Sequence, residues 1–201
     1  MTTKSTNITA IAHRVSIRKR WLSNGHKGGV VWLTGLSGSG KTTLAFNLEQ
    51  MLFDKGYQTY VLDGDNIRFG LSSDLGFSQE DRSENIRRIS EVASLFAEAG
   101  FIVISAFISP YLKDRQLAQQ TIGRNFHEIF LAADICVCEE RDPKGLYAKA
   151  HRGEIKDFTG ISAPYEKPNN PELILDTGTL TVSESAELLC NYIVKNFNTQ
   201  K

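Results

Sequence analysis

The sequence predicts an α/β domain of three layers, with a central, mostly parallel sheet flanked by helices. Three observations predict it. Short apolar runs alternate with helical stretches from Gly28 onward. The runs are mostly continuous rather than alternating, as strands covered on both faces must be. The first run leads straight into a glycine-rich turn that opens a helix.

Taken in order, Val30–Thr34 is the first predicted strand, and a helix follows from about Gly40 to Asp54. Thr59–Asp63 is the second strand and Phe101–Phe107 the third. Between them, Ser78 and Asp81 stand at capping-box spacing. Ile86, Ile89, Ala93, Phe96 and Ala97 then recur with helical period, and Gly100 ends the helix. A segment around Lys113–Gln120 is helical, Phe126–Leu131 and Glu172–Leu175 are the last strands, and a helix runs from about Ser183 to Asn196. Strands that alternate with helices make crossover units and a doubly wound sheet. Ligands of such sheets sit beyond the carboxyl ends of the strands. Residues 1–27 read as a polar N-terminal extension, with Arg18-Lys19-Arg20 beside Trp21 expected to be a solvated tail packing through the indole. Residues 28–201 form one domain.

Composition narrows the function classes. Lys+Arg and Asp+Glu are both 23, so no global positive field exists to hold nucleic acid or an anionic membrane. An anionic ligand must instead be held by local geometry. No run reaches the length of a membrane span and no signal peptide opens the chain. Cys136, Cys138 and Cys190 lack zinc spacing and are expected as three buried free thiols of a cytoplasmic protein.

Gly35-Leu36-Ser37-Gly38-Ser39-Gly40-Lys41-Thr42 matches G-x-x-x-x-G-K-[ST], and Thr43 continues into the helix. Glycines let successive backbone N–H groups turn inward on phosphate oxygens. The lysine reaches the β- and γ-phosphates, the Thr42 hydroxyl ligates Mg²⁺, and the helix adds its positive end. The fold is therefore of the P-loop NTPase type. Asn-Lys-x-Asp, the base reader of GTPases, is absent, and the strand ending at Asp63 continues with Gly64 rather than a water-activating Glu. A kinase is favoured, closed by an Arg/Lys-rich lid over about 141–165 that excludes water.

Asp63-Gly64-Asp65 follows the second strand and can assist the metal or accept a hydroxyl proton; a merely local turn is the alternative. Arg68, Arg82 and Asn85, with Arg87 and Arg88 adding charge, suit an oxyanion. Phe77, in Leu75-Gly76-Phe77, could stack on a purine or pack in the core, and Phe158 is a second isolated aromatic among polar residues; two such rings could sandwich a base. Ser109, in Phe107-Ile108-Ser109-Pro110, could be a nucleophile, a substrate contact or a helix cap; the last two rank higher.

These motifs, together with Asp74–Ser78, Glu84–Arg88, Arg141–Tyr147, Gly153–Lys156 and Phe158–Ile161, resemble the adenylylsulfate kinase (APS kinase) family over most of the chain. The resemblance implies transfer of a phosphoryl group from ATP, with Mg²⁺, to the ribose 3′-hydroxyl of adenosine 5′-phosphosulfate in sulfate assimilation. By that likeness Asp63 assists metal and hydroxyl, Asp65 lies beside it, and Arg68, Arg82 and Asn85 hold the phosphosulfate. Phe77 and Phe158 clamp the adenine, Ile108 and Ser109 line the site, Lys144, Gly145 and Leu146 belong to the lid, and Arg141 lies along the ATP base. Some relatives carry a phosphoserine matching Ser109, but direct in-line transfer is favoured. A homodimer is implied, with a separate ATP sulfurylase supplying the substrate. Phe69, Ser162 and His151-Arg152 depart from the usual pattern, the last two within the lid. The alternatives are a kinase for another small nucleotide and a non-enzymatic, nucleotide-gated regulatory protein.

Overall fold

A computed structural model describes residues 7–9 and 11–199. Five parallel strands, β1 (Gly29–Thr34), β2 (Thr59–Asp63), β3 (Ile102–Ala106), β4 (Phe126–Leu131) and β5 (Leu173–Leu175), stand in the order β2-β3-β1-β4-β5. Every residue of β1 and β3 is buried, which is why their sequences run continuously apolar. The edge strands β2 and β5 are only partly covered.

Period-two alternation divides β1 between two cores. Val31 and Leu33 face α2 (Lys41–Asp54) and α8 (Val182–Asn196), where Leu44, Leu48, Leu52, Leu189 and Ile193 pack. Val30 and Trp32 face α4 (Gln79–Ala99) and α5 (Leu112–Ile122), against Ile86, Ile89, Ala93 and Ala118. Each fully buried Leu or Ile contributes about 1.5–3 kcal/mol, so the two slabs hold the strand ends rigidly beneath the site.

The helix caps differ in detail from expectation. The Ser78 hydroxyl accepts from Asp81 N at 3.1 Å, but Asp81 accepts from Gly76 N at 3.1 Å instead of reaching back to Ser78. Only half of the predicted capping box forms, because the loop before α4 takes the carboxylate. A complete box closes α8 at Thr181 and Glu184. Short helices α3 (Gly64–Arg68), α6 (Ile135–Arg141) and α7 (Leu146–His151) escaped the periodicity, being under two turns. The N-terminal segment is not wholly irregular: α1 (Ile17–Asn24) is capped by Ser16, carries half-buried Trp21, and is tied to the end of α4 by Asn24 Nδ2 donating to Gly100 O at 3.1 Å. All three cysteines are free, but Cys136 is exposed, contrary to expectation; it sits on the solvent side of α6. Among the described residues no helix is long and apolar enough to cross a membrane.

Candidate active site

The carboxyl ends of β1, β2 and β3 deliver the predicted groups to one mouth. The loop after β1 is a tight cradle. Gly38 has φ 75°, and a Cβ there would lie 2.8 Å from Cys138 O, so both conformation and space require glycine. A Cβ on Gly35 would meet Leu131 O and Ser39 Oγ at 2.8 Å. Lys41 is 9% exposed, and its ammonium donates to Gly35 O at 2.9 Å and Leu36 O at 2.7 Å. Burial drives its pKa from 10.5 down to about 8, partly offset by Cys138 and Asp63. A buried cation held over carbonyls is poised for a stronger anion. Thr42 and Thr43 follow on the exposed first turn of α2.

Asp63 links cradle to acceptor side. Its Oδ2 accepts from the Thr42 hydroxyl at 2.7 Å, and its Oδ1 accepts from Asp65 N at 3.0 Å, capping α3. One carboxylate thus makes the local turn bond and reaches the cradle hydroxyl. The Thr42–Asp63 pair offers only oxygen donors, and among the described residues no cluster of three His, Cys, Asp or Glu side chains forms. Two hard ligands that leave other positions to phosphates and water fit Mg²⁺.

Arg68 and Arg82 flank exposed Phe77, with guanidinium carbons 4.4 and 5.9 Å from the ring centroid. Arg68 donates to Leu75 O and Gly76 O; Arg82 donates to Phe77 O, Asp157 O and Thr159 Oγ1. Among the described residues neither has a carboxylate ion pair. Burial lowers both pKa values, and for Arg68 the nearby Arg82 lowers it further. Arg87 and Arg88, expected to add charge, are instead neutralised by Glu84 and Asp74, with contacts of 2.6–2.9 Å. Asn85 is buried with its Oδ1 unpartnered. Of these four arginines, Arg68 and Arg82 therefore keep their charge unneutralised among the described residues.

The lid wraps the cradle. Tyr147 OH donates to Ser37 O at 3.0 Å, the Asp142 carboxylate accepts from Tyr147 N and Ala148 N in the first turn of α7, and Gly145 is that helix's N-cap at φ 65°. Lys144 pairs with Asp65 across the mouth. Leu146 packs beside the cluster of Cys138, Tyr147, Ala150 and Phe158. Phe158 is not an isolated aromatic: it is 7% exposed and packs edge-on to Tyr147 at 5.0 Å, because the lid has a small core of its own. Phe77 and Phe158 are thus placed differently, one open and one buried. At the departures from pattern, His151 pairs with Glu139, Arg152 with Glu154, and Ser162 Oγ accepts from Phe158 N. Phe69 is 88% exposed.

Ser109 is not a helix cap. Tyr111 holds that position on α5 without a side-chain bond. Ser109 is 2% exposed at φ 41°, its hydroxyl accepting from Trp32 Nε1 at 3.1 Å and donating to Thr34 Oγ1 at 3.0 Å. Ile108, half-buried, gives its carbonyl to Thr34 Oγ1 at 2.8 Å. Leu36 and residues 160–165 line an open cleft of about 500 Å³ with Lys167.

Two further groups at the site, Thr177 and Tyr165, were not singled out in the sequence. Thr177, after β5, donates to Ser39 O at 2.9 Å and receives Arg141 Nη2 on its carbonyl at 2.7 Å. This ties Arg141 to the cradle. Tyr165, pushed up to about 12 by burial, contacts Thr34 Oγ1 at 3.0 Å. A strand-end rule would have flagged Thr177; nothing local marks Tyr165.

Comparison with known proteins agrees with this geometry. The family model described as adenylylsulphate kinase matches residues 27–176. The adenylyl-sulfate kinase of Bacillus pumilus is 60% identical over 171 residues, covering 85% of this chain and 87% of that one. That of Clostridium acetobutylicum is 52% identical over 190 residues, covering 94% and 95%. The structure of the Mycobacterium tuberculosis APS kinase CysC in complex with AMPPNP and APS superposes with a TM-score of 0.79 at 49% identity, covering 82% of this chain and 96% of that chain. A gluconokinase from Sinorhizobium meliloti, 18% identical with a TM-score of 0.55 over 84% of this chain and 95% of its own, shares the fold alone. A phosphate cradle, a threonine–aspartate pair and two guanidinium groups without a carboxylate partner among the described residues, in a chain this close to those enzymes, make it a kinase that belongs to the adenylylsulphate kinase family.

Proposed function

We propose that this kinase transfers the γ-phosphoryl group of ATP to the ribose 3′-hydroxyl of adenosine 5′-phosphosulfate, releasing ADP and the 3′-phospho product. The observation that carries this reading is the pair Arg68 and Arg82, unneutralised around an exposed Phe77. Two guanidinium groups suit a substrate with a doubly charged head, and the ring suits its purine. AMP carries a similar charge on a shorter head, so the longer phosphosulfate is the better match to two separate guanidinium groups.

In this reading the amides from Gly35 to Thr42 bind the polyphosphate, and Lys41 moves its donors from the carbonyls of Gly35 and Leu36 to phosphate oxygens. Thr42 and Asp63 would hold Mg²⁺, which when bound neutralises phosphate charge. Asp63 also lies within reach of an acceptor hydroxyl proton. Asp65 exchanges Lys144 as the lid adjusts, and Asn85 Oδ1 gains a partner. Arg141 and Thr177 border the ATP side; Ile108, Gly145, Leu146 and Phe158 border the acceptor. Ser109, with its hydroxyl already engaged twice, serves direct transfer by shaping the site. The protein acts as a homodimer in sulfate activation, supplied by a separate sulfurylase.

The test is a coupled assay with Mg-ATP and either adenosine 5′-phosphosulfate or AMP, with the product position read by ³¹P NMR. Strong preference for the phosphosulfate and a new 3′-phosphomonoester are expected. Equal kcat/KM for the two acceptors would refute the assignment.

A further inference from the structure

One buried cation lies outside the site and is used by none of the roles above. Arg115, on α5, has a side chain only 2% exposed. Its planar fork meets three acceptors from three parts of the chain, each at 2.6 Å. Nε donates to Glu128 Oε1 on β4, Nη1 to Ser109 O, and Nη2 to Glu166 O at the return of the lid. The guanidinium carbon also lies 5.7 Å from the Tyr165 ring centroid.

Ser109 explains why such a clamp is present. A residue with a Cβ at φ 41° persists only where its surroundings over-determine it. Trp32 and Thr34 hold its hydroxyl, and Arg115 holds its carbonyl. Trp32 and Glu128 are register partners on adjacent strands, so the indole and the carboxylate that steer this loop rise from the same level of the sheet. On the other side, Glu166 N donates to Pro110 O at 2.9 Å, and Glu166 Oε2 accepts from Leu112 N at 2.6 Å. The loop after β3 and the lid's return are therefore stitched together, with Arg115 at the junction.

We infer that Arg115 is a positioning residue for the acceptor substrate, its fork setting the Ser109 loop and the Tyr165–Glu166 return in mutual register. This rests on the acceptor assignment proposed above. Arg115 makes no direct hydrogen bond to the Gly35–Thr42 cradle, to Arg141 or to Thr177 and reaches the cradle only through Ser109, Tyr165 and Thr34, so its loss should fall first on the acceptor side. Lysine at this position could keep the charge opposite Glu128 but could not span three acceptors in one plane.

The experiment compares R115K and the charge-free pair R115M/E128Q with the wild type, the second avoiding an unpaired buried carboxylate. Steady-state kinetics should show the KM for adenosine 5′-phosphosulfate raised at least tenfold in both, with the KM for ATP within twofold. A W21F background leaves Trp32 as the sole indole, and loss of its ordered Ser109 partner should shift its emission. An unchanged acceptor KM, or equal rises for both substrates, would overturn the inference. Failure of both variants to fold would do so too, by making the pair a requirement of the fold. The two readings fail separately. A wild-type chain inactive on the phosphosulfate sinks the acceptor assignment, whereas Trp32 emission reads the loop without any acceptor. Identical emission from W21F and W21F/R115M/E128Q sinks the positioning role.

Discussion

Replacing Lys41 with methionine removes one ammonium while keeping the length and apolar stem of the side chain. Two consequences follow from its placement. In the folded chain the Lys41 pKa is pushed from 10.5 to about 8 by burial. Between those values the unfolded chain binds the proton and the folded chain does not, so folding stability rises with pH across that window. At about 1.4 kcal/mol per pH unit, the contribution amounts to roughly 3 kcal/mol, complete by about pH 10.5 and absent below pH 8. We predict that the stability of nucleotide-free wild type relative to K41M climbs by that order from pH 7.5 to 10.5. Paired urea titrations at four pH values measure it in a C138S background, which removes the thiol coupled to Lys41; groups that Lys41 does not touch titrate alike in both proteins and cancel. The same ammonium should supply transition-state charge stabilisation worth about 3–4 kcal/mol, a loss of 10² to 10³ in kcat for K41M. A stability difference that stays flat with pH would refute the claim that this amine is held against its own charge. A kcat within fivefold of wild type would refute its place at the transferring group.

Arg82→Ala should raise the acceptor KM by about 30-fold or more, since a charge-assisted pair contributes about 2 kcal/mol or more, with ATP binding measured by calorimetry unaltered; wild-type acceptor affinity would remove Arg82 from the site. Ser109→Ala, which loses two hydrogen bonds but no required nucleophile, should keep kcat within about tenfold and cost about 1–2 kcal/mol of stability by thermal melting. Complete loss of turnover with intact binding of both substrates would restore a phosphoserine route. Gly38→Ala, placing a Cβ 2.8 Å from Cys138 O at φ 75°, should destabilise by about 1–3 kcal/mol and abolish nucleotide binding; a variant that binds ATP normally would contradict the cradle geometry.

Much of the molecule was legible because its signals are local. Continuous apolar runs mark strands covered on both faces, and β1 and β3 are such strands from end to end. The glycine spacing of the cradle answers to backbone conformation at Gly38 and contact at Gly35, which any sequence must satisfy to close the same turn. Capping residues were partly legible: Ser78 caps α4, but only tertiary packing diverts Asp81 to Gly76.

The layered α/β fold, the phosphate cradle and the family can be read along the chain, because propensity, period and motif act over a few residues. Packing in three dimensions settles which arginines keep their charge unneutralised. Arg68, Arg82, Arg87 and Arg88 look alike along the chain, yet carboxylates neutralise the last two and leave the first two open. It likewise buried Phe158, engaged the Ser109 hydroxyl, and brought Arg115 onto acceptors from three distant segments. Pairing and desolvation depend on which groups meet across the fold, and no short stretch of sequence contains both partners.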